Sequence, residues 1–482
     1  MESPHWPLIK TAMEDEIAGK IANKFAEVVR DTGQRRSKVK WVLLVYLNED
    51  GSVMKVKARL VLCGYSQIEG RDFTKCEAPT LPGPEYRLFA SIVAEEDLET
   101  DNLDAVKAFT QATLDTVLYS NMPVGFAIKG HLLKLVKALE GCRQGSYLWF
   151  EKNRWAWNKC GCYADMTSPN MYTHESLSVI AAVFGDDVSV AYRHEERAEY
   201  LALRSEYSKL IKIDSVPNIT TPITDKPFVG VEWERDRQAG TVKLTQRLYI
   251  KKLQLKYKGK FTLNDLPFGA SKTKRDEFEA LAVGTAETAI PSVDYMEALG
   301  SIGWPTVMTR GEIAYVYSRL GSFSMHPEPS HLDAVMHVVG YLVNTIDIGP
   351  IYGGKLKVPL GLSEFPPSFA ESSGLWASSD SSWGRRPKPH GGHAIMRTNG
   401  PILWGSSALK IVPMATAEAE TAEASRATKD MMYLKASCRG VKRPSMGPGV
   451  ITVDNSAMHT LTKENVSTRT RYFERATAFG HA

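Results

Sequence analysis

Cysteine is scarce. Six in 482 residues are too few and too scattered for a disulfide scaffold. The one close pair, Cys160 and Cys162, is a C-x-C without a second pair, which reads as two small buried side chains rather than a zinc site. Long apolar runs are also missing. The strongest, Leu177–Phe184, falls well short of the ~20 residues a membrane helix needs. Residues 1–6 carry no basic stretch leading into an apolar segment, so no secretory leader is expected. With reduced thiols, this puts the expected home inside the cell and away from membranes. Nor is there a strong excess of one charge: 59 Lys and Arg stand against 55 Asp and Glu, a net +4, which permits a nucleic-acid partner without demanding one. Internal repeats and low-complexity tracts are absent. A chain of this length, 43% hydrophobic and 24% charged, has room for two to four ordinary globular domains.

Periodicity supplies the elements. Glu14–Val29 spaces Ile17, Ile21, Phe25 and Val28 as a helical stripe. Trp41–Leu47 and Val53–Leu62 flank Asn48-Glu49-Asp50-Gly51 and read as a β-hairpin. The second strand alternates, with Lys55, Lys57 and Arg59 on one face and Val56, Ala58 and Leu60 on the other. The cationic face is either a solvated edge that resists aggregation or a surface for polyphosphate or nucleic acid. Leu177–Tyr192 is a second hairpin, turning at Gly185-Asp186-Asp187. Two adjacent carboxylates at a tight turn repel one another, and a divalent cation would remove that cost.

Farther on, Glu195–Ile211 reads as an amphipathic helix, Val242–Leu244 as a strand and Tyr249–Leu253 as a helix. Gly269–Ile290 reads as a charged surface excursion, and Arg310–Phe323 and His331–Asn344 as helices. The proline-bearing stretch Lys357–Ser373 is taken as the main linker. Beyond it, a strand ends at Asp380, and Gly392–Arg397 and Ile402–Gly405 form a hairpin. A helix follows over Ala415–Ala436, then Val450–Val453 ends at Asp454, and an Arg- and aromatic-rich helix closes the chain. That order describes an α/β domain. Acids therefore recur at element ends: Asp104, Asp186 and Asp187 in the first half, Asp380, Glu420, Asp454 and Glu474 in the second. Carboxylates from separate elements that meet at one point can hold two Mg2+ ions ~3.5–4 Å apart for phosphoryl chemistry. His390 and His393 flank two glycines and read as a turn into a strand.

An ordered set of motifs resembles the reverse transcriptase–ribonuclease H region of copia-type retrotransposon polyproteins. Lys57-Ala58-Arg59-Leu60-Val61, continuing to Gly64-Tyr65-Ser66-Gln67, resembles the fingers motif. Asp104 to Phe109 resembles D-x-x-x-A-F, Leu139 to Lys152 resembles L-Y-G-L-K-Q-A-P-R-A-W-Y-E-K, and Phe184-Gly185-Asp186-Asp187 resembles the double-aspartate motif. Phe228-Val229-Gly230-Val231-Glu232 resembles F-L-G-I-E, and Thr309 to Tyr315 resembles T-R-P-D-I-A-Y. Ser379-Asp380-Ser381-Ser382-Trp383, Glu418-Ala419-Glu420 and Val453-Asp454-Asn455-Ser456-Ala457 resemble the three nuclease motifs.

The resemblance implies an α+β polymerase of fingers, palm and thumb, followed by an α/β ribonuclease H-like domain. Fingers and palm would fill residues 1–225, thumb and connection 226–356, and the nuclease 374–482. It implies RNA-directed DNA polymerase activity plus ribonuclease H activity, with two Mg2+ (or Mn2+) ions per site. Asp104, Asp186 and Asp187 would hold the polymerase pair. Asp380, Glu420 and Asp454 would hold the nuclease pair, with Glu474 as a fourth acid where the family has Asp. Lys57 and Arg59 would bind the incoming triphosphate, Gln144 would touch the nucleotide, and Phe109 would exclude a ribose 2′-hydroxyl. Phe228 and Gly230 would lie beside the primer. Partners would be RNA template, DNA primer, RNA–DNA hybrid and deoxynucleoside triphosphates, in a cytoplasmic retroelement particle or in the nucleus. Three departures stand out. Phe184 replaces Tyr, Gly185 is expected to loosen its turn, and Ser382 replaces a second Asp. With no capsid, protease or integrase region, the chain is expected to be a polyprotein fragment, a domesticated copy or a decaying one. The competing reading is a non-catalytic nucleic-acid-binding remnant of the same fold.

Overall fold

The computed structural model describes residues 5–47, 52–216, 227–269, 271–355, 374–382, 389–445 and 449–453. The first half runs α1 (Trp6–Ala22), β1 (Ala26–Arg30), β2 (Val39–Leu47), β3 (Val53–Leu62), α2 (Gly83–Glu95), β4 (Glu99–Ala105), β5 (Thr113–Ser120), β6 (His131–Lys137), α3 (Gly145–Lys159), β7 (Cys162–Ala164), β8 (Met171–His174), β9 (Ile180–Phe184), β10 (Asp187–Tyr192), α4 (Arg197–Leu210) and β11 (Ile213–Val216). The expected helix over Glu14–Val29 is corrected. The helix ends at Ala22, Lys24 turns left-handed at φ 51°, and Ala26–Arg30 pairs with β6. Over so few residues the apolar spacing fits a helix or a strand, and pairing with β6 decides it.

The hairpin β2–β3 forms as expected, with Lys55, Lys57 and Arg59 exposed and Val56, Ala58 and Leu60 buried. Leu60 and Leu62 join Phe25, Leu133 and Leu135 in a fingers core. The palm is one antiparallel sheet in the order β11-β4-β10-β9-β8-β7. Alternation gives it two covered faces. Leu103, Val188, Val190 and Val183 meet Trp157, Tyr200 and Tyr207 of α3 and α4, while Ala182, Ala191 and Ile180 meet α2.

The second half runs β12 (Glu232–Asp236), β13 (Thr241–Thr245), α5 (Arg247–Lys256), α6 (Lys272–Ala280), α7 (Ser292–Met308), α8 (Ala314–Gly321), α9 (Pro329–Asn344), β14 (Ile351–Gly353), β15 (Leu375–Ser382), β16 (His390–Arg397), β17 (Gly400–Ala408), α10 (Thr416–Gly440) and β18 (Val450–Thr452). Helices α5 to α9 enclose their own apolar cluster. The expected surface excursion over Gly269–Ile290 is corrected, because it contains α6, whose Phe278 is buried in that cluster. The last sheet has the order β17-β16-β15-β18, with β15 and β18 parallel and the other pairs antiparallel, and α10 packs across it. The expected linker, residues 357–373, and the closing helix lie outside the described residues.

The two halves share a core. One apolar cluster runs from Leu88, Phe89 and Ile92 of α2, through Trp233 and Leu244, to Leu375, Ile395, Met431 and Leu434 of the last module. No helix among the described residues is long and apolar enough to cross a membrane.

Candidate functional site

The register of the palm sheet assembles the first site. Asp187, opening β10, is directly opposite Asp104 near the end of β4, and directly opposite residues of an antiparallel pair share a face. Leu103 and Ala105 point into the α3–α4 core, so Asp104 and Asp187 stand on the other face, with Asp186 exposed at the turn between β9 and β10.

Gly185 takes φ +62° with open space where a Cβ would be. Phe184 pairs with Asp187, so Gly185 is the first central residue of a two-residue hairpin loop, a position that glycine suits. The expectation that Gly185 loosens this turn is therefore corrected. Two further bonds fix it: Trp149 Nε1 donates to the Gly185 carbonyl at 2.7 Å, and the Ala105 amide donates to the Asp186 carbonyl at 3.0 Å.

A fourth acid escaped the motif reading. Asp214 on β11 is opposite Asp104 on its other side and is exposed. Its only signal was a short Ile-Asp-Ser-Val strand with no motif around it. Asp101, two residues before Leu103 on the helix-facing side, is already engaged by the Tyr200 hydroxyl at 2.6 Å and Arg204 at 3.1 Å.

Like charges in register across a ladder are destabilising. A divalent cation would relieve that repulsion, so the donor set is chemically apt for one. Among the described residues, no three His, Cys, Asp or Glu side chains converge closely enough to hold a metal ion.

Around these acids the motif residues divide. Lys57 and Arg59 project from β3 and carry no ion pair among the described residues. Phe109 lies half-buried in a short 3-10 turn after β4, against the α3–α4 core. Gln144 is corrected. It is fully buried; its amide donates to the Asp72 carbonyl at 2.9 Å and Thr116 at 3.2 Å, and its oxygen accepts from Gln67 at 2.9 Å. With its amide thus spoken for, it braces the joint between fingers and palm. Gly64 and Gly141 allow that joint to close. A Cβ on Gly141 would lie 2.3 Å from the Leu62 carbonyl oxygen, and one on Gly64 would lie 2.5 Å from that of Gly141. Burial at this joint pushes the Cys142 thiol up to about 11. Phe228 is corrected too. Its ring is 4% exposed and stacks on Tyr86, centroids 5.4 Å apart, so it cannot touch a primer. Gly230, at φ +71°, is exposed.

In the last module Asp380 lies inside β15 rather than at its end, on the exposed face. Glu420, 3% exposed, reaches the strand from α10 and accepts from the Ser381 amide at 3.3 Å. Asp454 and Glu474 lie outside the described residues. His390 and His393 belong to β16, which corrects the expected turn.

A family model described as reverse transcriptase (RNA-dependent DNA polymerase) matches residues 23–264, half of the chain. The chain belongs to the reverse transcriptase family. It is 26% identical over 446 residues to the retrovirus-related Pol polyprotein from transposon TNT 1-94 of Nicotiana tabacum, covering 90% of this chain and 32% of that protein. It is 24% identical over 462 residues to the Pol polyprotein from transposon RE1 of Arabidopsis thaliana, covering 92% of this chain and 29% of that one. The chain therefore spans about a third of the length of these copia-type relatives. A solved foamy viral protease–reverse transcriptase, in complex with double-stranded DNA, shares the fold at TM-score 0.50 and 13% identity, over 98% of this chain and 66% of that one. The fold is thus that of a reverse transcriptase followed by a ribonuclease H-like module.

Proposed function

We propose that this chain is the RNA-directed DNA polymerase and hybrid-specific ribonuclease segment of a retroelement polyprotein, working in a cytoplasmic particle or in the nucleus. The observation that carries the reading is the register of Asp104 opposite Asp187 with Asp186 on the tight turn beside them. Asp104, Asp186 and Asp187 would hold two Mg2+ ions, or Mn2+, which when bound supply charge neutralisation at the triphosphate and acidify the primer 3′-hydroxyl. The exposed Lys57 and Arg59 bind the incoming triphosphate, the Phe109 ring screens against a ribose 2′-hydroxyl, and Gly230 admits the primer backbone. Asp380 and Glu420, with Asp454 and Glu474, serve the nuclease. The positive φ of Gly185, which its two-residue turn uses, speaks for a working site rather than a decayed one.

The test is Mg2+-dependent primer extension on an RNA template. Asp186→Asn removes a charge at constant volume, so extension should fall by roughly 10²–10³-fold while template–primer binding holds. Unchanged extension would overturn the palm assignment.

A further inference from the structure

The Thr309–Tyr315 motif and the charged segment Gly269–Ile290 belong to the connection helices, yet both reach the nuclease module. A cleft of about 290 Å3 has Asp380, Gly391, Gly392 and Ser406 on one side, with Glu279 of α6 and Tyr315 of α8 on the other. The Tyr315 hydroxyl donates to a Glu279 carboxylate oxygen. The Tyr315 ring meets His390 edge-on, centroids 4.9 Å apart, and His390 shares a 2.9 Å hydrogen bond with Ser406.

This wall is rigid. Arg319 of α8 donates to the carbonyls of Glu279 and Leu281, and His331 of α9 bonds the Ala282 carbonyl at 2.9 Å. Gly392 stands opposite Asp380 and puts no side chain on that face, while Gly391 faces α10, where a Cβ would lie 2.2 Å from Glu423 Oε2. A glycine in a strand lets another backbone approach closely.

A carboxylate beside a strand's backbone can only accept hydrogen bonds, so it responds to the donors that backbone carries. The sugar–phosphate backbone of DNA offers none. RNA offers the 2′-hydroxyl, which is both donor and acceptor and distinguishes the two polymers. We propose that Glu279, oriented by Tyr315, accepts a hydrogen bond from a ribose 2′-hydroxyl of the RNA strand as that strand passes Asp380. The connection thus supplies the sugar specificity of the nuclease, an inference that rests on the ribonuclease reading above.

The experiment uses the full chain and RNA–DNA hybrids whose RNA strand carries a single 2′-deoxy replacement, moved one position at a time. At the contacted position the unaltered chain should cut about tenfold or more slowly, the worth of one hydrogen bond to a charged group. Glu279→Ala should cut the all-ribose hybrid slower by a similar factor and become indifferent to that replacement. Tyr315→Phe, which keeps the ring against His390, should lie between. Equilibrium binding in EDTA should show the same loss of sensitivity without cleavage, and primer extension within twofold reports an intact fold. A Glu279→Ala chain that keeps the full deoxy penalty, or whose defect is relieved by more Mg2+, overturns the proposal alone. An unaltered chain that cuts no hybrid overturns the proposal together with the ribonuclease reading.

Discussion

His393 is enclosed by opposite charge. Nδ1 lies 2.7 Å from Glu423 and Nε2 2.8 Å from Asp430, while Arg426 holds the other Glu423 oxygen at 2.6 Å. Burial works to lower the imidazole pKa, but hydrogen bonding and charge from Asp430 and Glu423 outweigh it and hold the ring above its ordinary value. A raised folded pKa means that the protonated ring favours the folded state. That contribution is complete below the unfolded value, roughly pH 6.5, and is lost as pH climbs through the folded value. The melting temperature should therefore fall more steeply as pH rises above about 6.5 in the unaltered chain than in His393→Gln. Equal slopes would show that another group titrates. The same site explains a residue-scale surprise: two histidines beside two glycines suggest a turn, and the pairing of β16 with β15 and β17 decides otherwise.

Among the elements, α2 ties the molecule together. Its segment Leu88–Ala94 is apolar at nearly every position, a pattern that periodicity cannot assign to helix or strand. It is buried nearly all round, yet it carries charge. Arg87 stacks its guanidinium over Trp404 at 3.8 Å and donates to the carbonyls of Ile402 and Val307, each at 2.6 Å; burial lowers its pKa to about 10. Burial likewise raises Glu85, which accepts from Ser168 at 2.9 Å and Tyr433 at 2.8 Å. Arg87→Leu would leave the carbonyls of Ile402, Val307 and Met308 without this donor and empty the space over Trp404, so it should cost about 3 kcal/mol or more. Urea denaturation checks this, and a midpoint within error of the unaltered chain would show that α2 is not the joint.

Across the whole molecule, a linker between two modules suggests independent cores, but one apolar cluster is shared by both. Arg397 of β16 meets Glu95 of α2 at 2.9 Å, Trp404 donates to the Thr306 carbonyl at 2.8 Å, and Arg443 pairs with Glu96. Chemistry and architecture then separate by mutation. Asp380 is exposed and makes none of these joint contacts, so Asp380→Asn should slow hybrid cleavage by roughly 10²–10³-fold while DNA synthesis stays within a few-fold. Arg397→Ala leaves the half-buried Glu95 without its ion-pair partner and should lower both activities. The two assays on each purified variant decide. Loss of both activities in Asp380→Asn would place Asp380 in the structural joint instead.

The hairpins β2–β3 and β9–β10, the cationic face of β3 and the acids at the palm turn were legible because strand alternation and turn chemistry are local. So was the order of the motifs. The register that sets Asp104 between Asp187 and Asp214 was not, since it depends on which strands pair. Nor were the roles of Gln144 and Phe228, polar and aromatic residues whose exposure is fixed by what packs on them. The meeting of Gly64 with Gly141 needs two distant loops to dock. The sequence alone determined the family and the order of its motifs. Tertiary packing decided that α2 joins the palm to the ribonuclease H-like module, and that α6 and α8 close the cleft beside Asp380, because burial and proximity between distant segments leave no local periodic trace.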